Sequence, residues 1–85
     1  MHLEILTPDK TIFSGQIKSV TVPGTKDPFT VLENHASIIS TLDKGDLGLE
    51  TASGVFMLYV IGEGMIEANQ NKIMVLAEEI TPKEL

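Results

Sequence analysis

Ile17–Ile39 reads IKSVTVPGTKDPFTVLENHASII, and how this stretch divides decides the fold. Ile17, Val20 and Val22 stand apolar among Lys18, Ser19 and Thr21, the alternation of a strand with one buried face. Pro23-Gly24 breaks it, because proline lacks an amide donor and glycine accepts backbone conformations closed to other residues. A polar loop then leads to Phe29-Thr30-Val31-Leu32, a run rich in strand-forming side chains. Glu33-Asn34 breaks the chain again before His35-Ala36 and the apolar pair Ile38-Ile39. Three short strands and two tight connections fit in this span, which also holds one of the two histidines.

Working outward, the same grammar recurs. Leu3–Thr7 reads as an opening strand closed by Pro8-Asp9, and Lys10–Phe13 can return as a second. Ser14-Gly15 punctuates before Gln16–Val22. Downstream, Leu42 closes a strand and Asp43-Lys44-Gly45-Asp46 supplies a turn. Leu47–Thr51 alternates, and Ala52-Ser53-Gly54 resembles a hairpin connection. Val55–Ile61 is apolar on both faces, so one face needs the core and the other a second cover, from this chain or from a partner. Gly62-Glu63-Gly64 suggests a bulge or tight turn between adjacent strands. Asn69-Gln70-Asn71 is a polar hairpin tip, Lys72–Ala77 a last strand, again apolar on both faces, and Glu78–Pro82 a polar exit. No window carries a helical stripe free of glycine and proline. The expectation is a single all-β domain over residues 1–85: a flattened sandwich or barrel of about eight to ten short, mostly antiparallel strands.

Composition narrows the function. The chain of 85 residues has no cysteine, so neither a disulfide framework nor a thiolate metal site stabilises it. Its 42% hydrophobic content is too high for a disordered chain, even at a net charge of −6. The longest apolar run is a strand's length, well short of the ~20 residues that span a bilayer, and no secretory pattern opens the chain. Six basic residues, none clustered, argue against gripping a nucleic-acid backbone. These observations point to a soluble domain of the cell interior that does not bind nucleic acid.

The candidate chemistry is thin. His35 as a metal ligand needs two or three companions, and only His2 at the N-terminus offers another imidazole. As a general base it needs a nucleophile and an orienting carboxylate. Glu33, Ser37 and Ser40 are near, but residues two apart on a strand share a face by chance. Gly62-Glu63-Gly64 lacks the third glycine of a dinucleotide fingerprint and the Gly-Lys-Ser/Thr of a phosphate loop. Asp43, Asp46, Glu78 and Glu79 lack calcium-loop spacing. No catalytic, cofactor-binding or metal-binding residue is expected, and the chain is read as non-enzymatic. The doubly apolar Val55–Ile61 leaves two readings open: sandwich interior, or a face for another protein.

Taken together, several of these segments resemble a known family. Leu3-Glu4-Ile5-Leu6-Thr7-Pro8 with Ile12-Phe13-Ser14-Gly15 resembles the first hairpin, with its Phe-x-Gly turn, of the N-terminal β-sandwich of the F-type ATP synthase epsilon subunit (delta in mitochondrial naming). Val20–Gly24 and Phe29–Leu32 match the strands before that family's His-Ala-Pro, and His35-Ala36 stands where His-Ala does. Gly62–Glu67 is similar to its Gly-Gly-x-x-Glu/Gln element, and Val75-Leu76-Ala77-Glu78 to its closing strand. The match runs nearly the whole chain.

The resemblance implies a non-catalytic central-stalk subunit at the cytoplasmic face of the bacterial inner membrane, held there through the complex. It would transmit proton-driven c-ring rotation to the catalytic head, for ATP synthesis, by binding the gamma subunit and the c-ring. It implies no cofactor and no small-molecule substrate. Thr25, Lys26, Asp27, Pro28, Phe29 and Thr30 match the c-ring contact region. His35, Ala36, Ile38, Phe56, Leu58 and Val60 match positions near gamma. Three departures stand out. Ser37 replaces the family's proline, which would loosen that turn. Asp27 replaces a glycine, which would be strained at positive φ. The chain stops at Leu85, where members continue into the two-helix domain that brings ATP binding and inhibition, so neither is assigned here. The alternatives are a stand-alone β-sandwich adaptor binding along an edge strand, or a small enzyme built on His35.

Overall fold

The computed structural model describes residues 1–84, and among them every regular element is a strand. In chain order these are β1 (His2–Leu6), β2 (Thr11–Val22), β3 (Phe29–Leu32), β4 (Ile38–Leu42), β5 (Gly45–Thr51), β6 (Phe56–Ile61), β7 (Gly64–Asn69), β8 (Lys72–Ala77) and β9 (Ile80–Lys83). They form a sandwich whose two layers are joined through β2. The first half of β2 pairs with β1 in the layer β4-β7-β8-β1-β2. Its second half pairs with β3 on one side and β5 on the other, in the layer β3-β2-β5-β6-β9. The register against β5 slips between Ile17 and Ser19, and a bulge of this kind bends a strand so that it can serve two layers. All pairings are antiparallel except β1 with β8, which run parallel.

Alternation along each strand puts one set of side chains inside. Leu3, Ile5, Val20, Leu47, Ile66 and Val75 are each 0% exposed. No polar or charged side chain is buried among the described residues. Fully burying a leucine, isoleucine or valine side chain is worth roughly 1.5–3 kcal/mol, so the alternation itself is the main source of cohesion. On β6 it resolves which face is inner: Tyr59 and Ile61 are buried and Met57 packs on the core, while Phe56, Leu58 and Val60 point outward.

The turns follow their residues. Gln70 (φ 50°) and Asn71 (φ 61°) form the two-residue loop between β7 and β8, and positive φ at both positions is the signature of a type I′ hairpin. The β5–β6 loop, residues 52–55, closes with Gly54 at φ 92° and a hydrogen bond from the Gly54 amide to the Thr51 carbonyl. After β3, the His35 amide donates to the Leu32 carbonyl at 3.1 Å, and Asn34 (φ 64°) takes the left-handed position.

Several expectations need correction. Ser14-Gly15 and the Phe13-Ser14-Gly15 turn do not interrupt the chain; they lie inside β2, where Gly15 pairs with Leu3. The exit Glu78–Pro82 is largely a strand, since Ile80–Lys83 pairs with β6 and places Pro82 on a sheet edge, where its missing donor costs no ladder bond. Gly62-Glu63 joins strands of different layers, not adjacent ones. Gly45 and Asp46 belong to β5, leaving Asp43-Lys44 as the connection. Asp27 is not at positive φ; among the described non-glycine residues only Asn34, Gln70 and Asn71 are.

Gly64 is required for a different reason. A Cβ there would overlap the Leu76 carbonyl oxygen and lie 2.8 Å from Ala77 Cα, both backbone atoms of the neighbouring strand. Gly64→Ala should therefore destabilise the domain by about 3 kcal/mol, the upper end of overpacking, read as a lowered urea midpoint. Gly62→Ala, whose nearest neighbour would be 3.7 Å away, is the tolerated control. Tyr59 yields a second expectation. Burial raises its phenol pKa above 10.0, so the folded state keeps a proton that the unfolded state releases. Tyr59-dependent stability is fully present below pH ~10 and lost as pH rises through the folded pKa; Tyr59→Phe should flatten that alkaline limb of an unfolding series.

Candidate partner-docking surfaces

The two loops within Ile17–Ile39 lie at opposite ends of the sandwich. β3 leaves the first loop and β4 returns to it, because Gly24 bridges to Leu42 and the Thr25 amide donates to the Thr41 carbonyl. β4 has five residues, so the His35 loop is about 17 Å from this end at ~3.4 Å per residue. The near end carries Thr25, Lys26, Asp27 and Pro28, all exposed. Thr25 and Thr41 share a hydroxyl hydrogen bond of 2.7 Å, as do Thr21 and Thr30. Phe29 turns inward onto the core, its ring so close under Gly24 that a Cβ on Gly24 would lie 2.8 Å from it. Of the six residues matched to the c-ring contact, the structure thus groups five at the surface and one beneath them.

The second set divides. His35 and Ala36 are exposed at the far end, whereas Ile38 faces the core and its neighbour Ile39 is 70% exposed. Phe56, Leu58 and Val60 form a column on the outer face of the other layer. Phe56 is 62% exposed and Val55 beside it 55%. In register with Phe56 across Glu50 and Ser19 stands Leu32, 58% exposed. The charges flanking this column are internally paired: Lys18 lies 3.6 Å from Glu50, and Lys83 reaches Asp46 at 3.1 Å from the opposite side of β6.

A further apolar surface escaped the sequence reading. On the outer face of the β1-containing layer, Leu6, Leu76 and Met65 are register partners across three adjacent strands. In the next row Met74 sits between Glu4 and Glu67, with Ile39 beyond. The available signal was that Lys72–Ala77, like Val55–Ile61, is apolar at consecutive positions; strand order was needed to assemble it with Leu6 and Ile39.

His35 lies in a turn, not on a strand. Residues 33–37 are turn and irregular chain, so Glu33, His35 and Ser37 share no strand face. The Nδ1 of His35 donates to the Ala36 carbonyl at 2.6 Å, and the Ser37 hydroxyl donates to Asn69 Oδ1 at 2.9 Å. That second bond fastens the turn where loss of proline was expected to loosen it. Among the described residues no three His, Cys, Asp or Glu side chains gather into a metal-binding group.

Known proteins share this architecture. The ATP synthase epsilon chain of Campylobacter fetus subsp. fetus is 38% identical over 78 residues, covering 92% of this chain and 60% of that protein. That of Nitratiruptor sp. is 39% identical over 84 residues, covering 99% and 65%. The chain thus spans less than two thirds of the length of these relatives. A chain in the Euglena gracilis mitochondrial ATP synthase structure, an OSCP/F1/c-ring assembly, superposes with a TM-score of 0.85 at 23% identity, covering 94% of this chain and 51% of that one. One in the Tetrahymena thermophila mitochondrial ATP synthase central stalk and c-ring gives 0.79 at 16%, covering 95% and 65%. At those identities the two structures establish a shared fold. The family model of the ATP synthase delta/epsilon chain beta-sandwich domain matches residues 1–83, and the chain belongs to that family.

Proposed function

We propose that this domain is a central-stalk subunit of an F-type ATP synthase, binding the gamma subunit and the c-ring and coupling ring rotation to ATP synthesis. It contributes no catalytic group, and works at the cytoplasmic face of the bacterial inner membrane through the complex. The observation that carries the reading is the apolar surface an 85-residue sandwich leaves uncovered: Leu32, Ile39, Val55, Phe56 and Met65 all face solvent. Exposed apolar area of this kind is a cost to an isolated domain and a benefit at an interface. Relatives named ATP synthase epsilon chain support the complex as the place where that surface is covered.

In this reading Thr25, Lys26, Asp27, Pro28 and Thr30 meet the c-ring, with Phe29 as the internal prop of their loop. His35, Ala36, Phe56, Leu58 and Val60 meet gamma, with Ile38 supporting the His35 end from inside. Polar loop residues suit a contact that has to form beside the membrane's headgroup layer. Apolar strand residues suit a contact that carries torque, because a packed face resists shear better than a few surface ion pairs. A stand-alone adaptor would be indifferent to gamma.

Association of the purified chain with its cognate gamma subunit tests the proposal. Phe56→Asp should weaken binding by at least tenfold, about 1.4 kcal/mol, while shifting the domain's own stability by no more than ~0.5 kcal/mol because the ring is exposed. Failure of the unaltered chain to bind gamma at micromolar concentration would refute the reading. Reversing both loop charges, Lys26→Glu with Asp27→Lys, should leave gamma binding intact and reduce c-ring association in a reconstituted rotor.

A further inference from the structure

The geometry points to Asn34 and Asn71 as positioning residues: an interlocking clasp that presents the His35 loop to its partner in a fixed conformation. The functional half of this inference rests on the gamma-docking reading above. Its structural half does not.

Both asparagines occupy the left-handed region, at φ 64° and 61°. Asparagine tolerates that region better than most residues, yet glycine would do so with less strain, so conformation alone does not require an amide here. What an asparagine adds is its side chain, and the two side chains meet. The Asn34 amide donates to Asn71 Oδ1 at 2.8 Å, and Asn71 Nδ2 donates back to Asn34 Oδ1 at 3.2 Å. The pair spans 37 residues of sequence and joins the turn after β3 to the β7–β8 hairpin, which belong to different layers.

The hairpin side of the clasp is itself anchored. The Asn71 carbonyl accepts from the His2 amide at 2.8 Å, which ties it to the start of β1. Asn69, on the same tip, accepts from Ser37 at 2.9 Å. Residues 34 and 37 are therefore both held by the hairpin, and His35-Ala36 is the short arch between them. Within the arch the His35 amide and Nδ1 are used locally, by the Leu32 and Ala36 carbonyls, which leaves Nε2 directed away from those bonds. A contact loop pinned at both ends loses less conformational freedom on binding than a free one, and that difference appears as affinity.

The test separates clasp from backbone. Asn71→Gly keeps the left-handed residue and deletes both reciprocal bonds. Asn34→Asp keeps the amide donor and an acceptor for Asn71 Nδ2, so it is the conservative variant. Asn34→Asp combined with Asn71→Asp sets two carboxylates against each other and should open the clasp again. Hydrogen exchange of the His35 amide should be about fivefold or more faster in Asn71→Gly and in the double aspartate, and near unaltered in Asn34→Asp. Gamma affinity should follow the same order, falling roughly fivefold to tenfold in the opened variants and recovering in Asn34→Asp.

Unchanged exchange in Asn71→Gly overturns the clasp. Faster exchange with unchanged gamma affinity overturns the positioning role, as would Asn34→Asp binding no better than Asn71→Gly. Should the unaltered chain not bind gamma at all, the docking reading and the positioning role fall together. The exchange series still decides whether the clasp holds the loop.

Discussion

The fold depends on one strand serving two layers. Were β2 to belong wholly to the β1 layer, Val20 and Val22 would have no β5 to pack beside; were it wholly in the other, β1 would lose its antiparallel neighbour. Twelve residues are long enough to do both, and the register slip between Ile17 and Ser19 marks where the strand changes partners. The core lies between the layers that this strand connects, and every buried strand residue is placed by reference to it. Other joins between layers are local, among them the Gly24–Leu42 bridge at one end and the Asn34–Asn71 clasp at the other.

That dependence explains what could be read from the chain and what could not. The alternation of Leu3 with Ile5 and of Leu47 with Leu49 is a record of burial, so those inner faces were legible; Val55–Ile61, apolar on both faces, did not show that Tyr59 and Ile61 are the buried pair. Asn69-Gln70-Asn71 and Ala52-Ser53-Gly54 were legible because their turns require particular residues at positive φ. Ser14-Gly15 misled, since glycine inside a long strand is compatible with pairing, here with Leu3, when a neighbouring side chain, the Phe13 ring, lies over it. Thr81-Pro82-Lys83 misled for the opposite reason: an edge strand needs neither alternation nor a complete set of amide donors. The strict need at Gly64 arises from β8 backbone, and a chain read locally does not show which strand lies alongside.

The candidate surfaces were partly legible on similar grounds. The loop from Thr25 to Pro28 is exposed because polar residues crowd a break, and local reasoning suffices there. Phe29 and Ile38 were matched to contact positions along with their neighbours, yet both side chains turn to the core, because strand pleating divides adjacent residues between faces. The row Leu6–Leu76–Met65 is assembled from β1, β8 and β7, and only a strand order can bring those together. Residue resemblance located the family; the faces had to come from topology.

The parallel pairing of β1 with β8 has a consequence for synthesis. His2 finds its partner in Lys72, and Leu6 in Leu76, so β1 is completed on that side by a strand much further along the sequence. Until then its outer edge is an unpaired ladder next to an apolar row that includes Leu6. Topologies dominated by such distant pairings fold slowly and expose edges meanwhile. During synthesis, then, the β1–β2 hairpin cannot complete its layer until β8 has been made, and that edge stays open in the meantime.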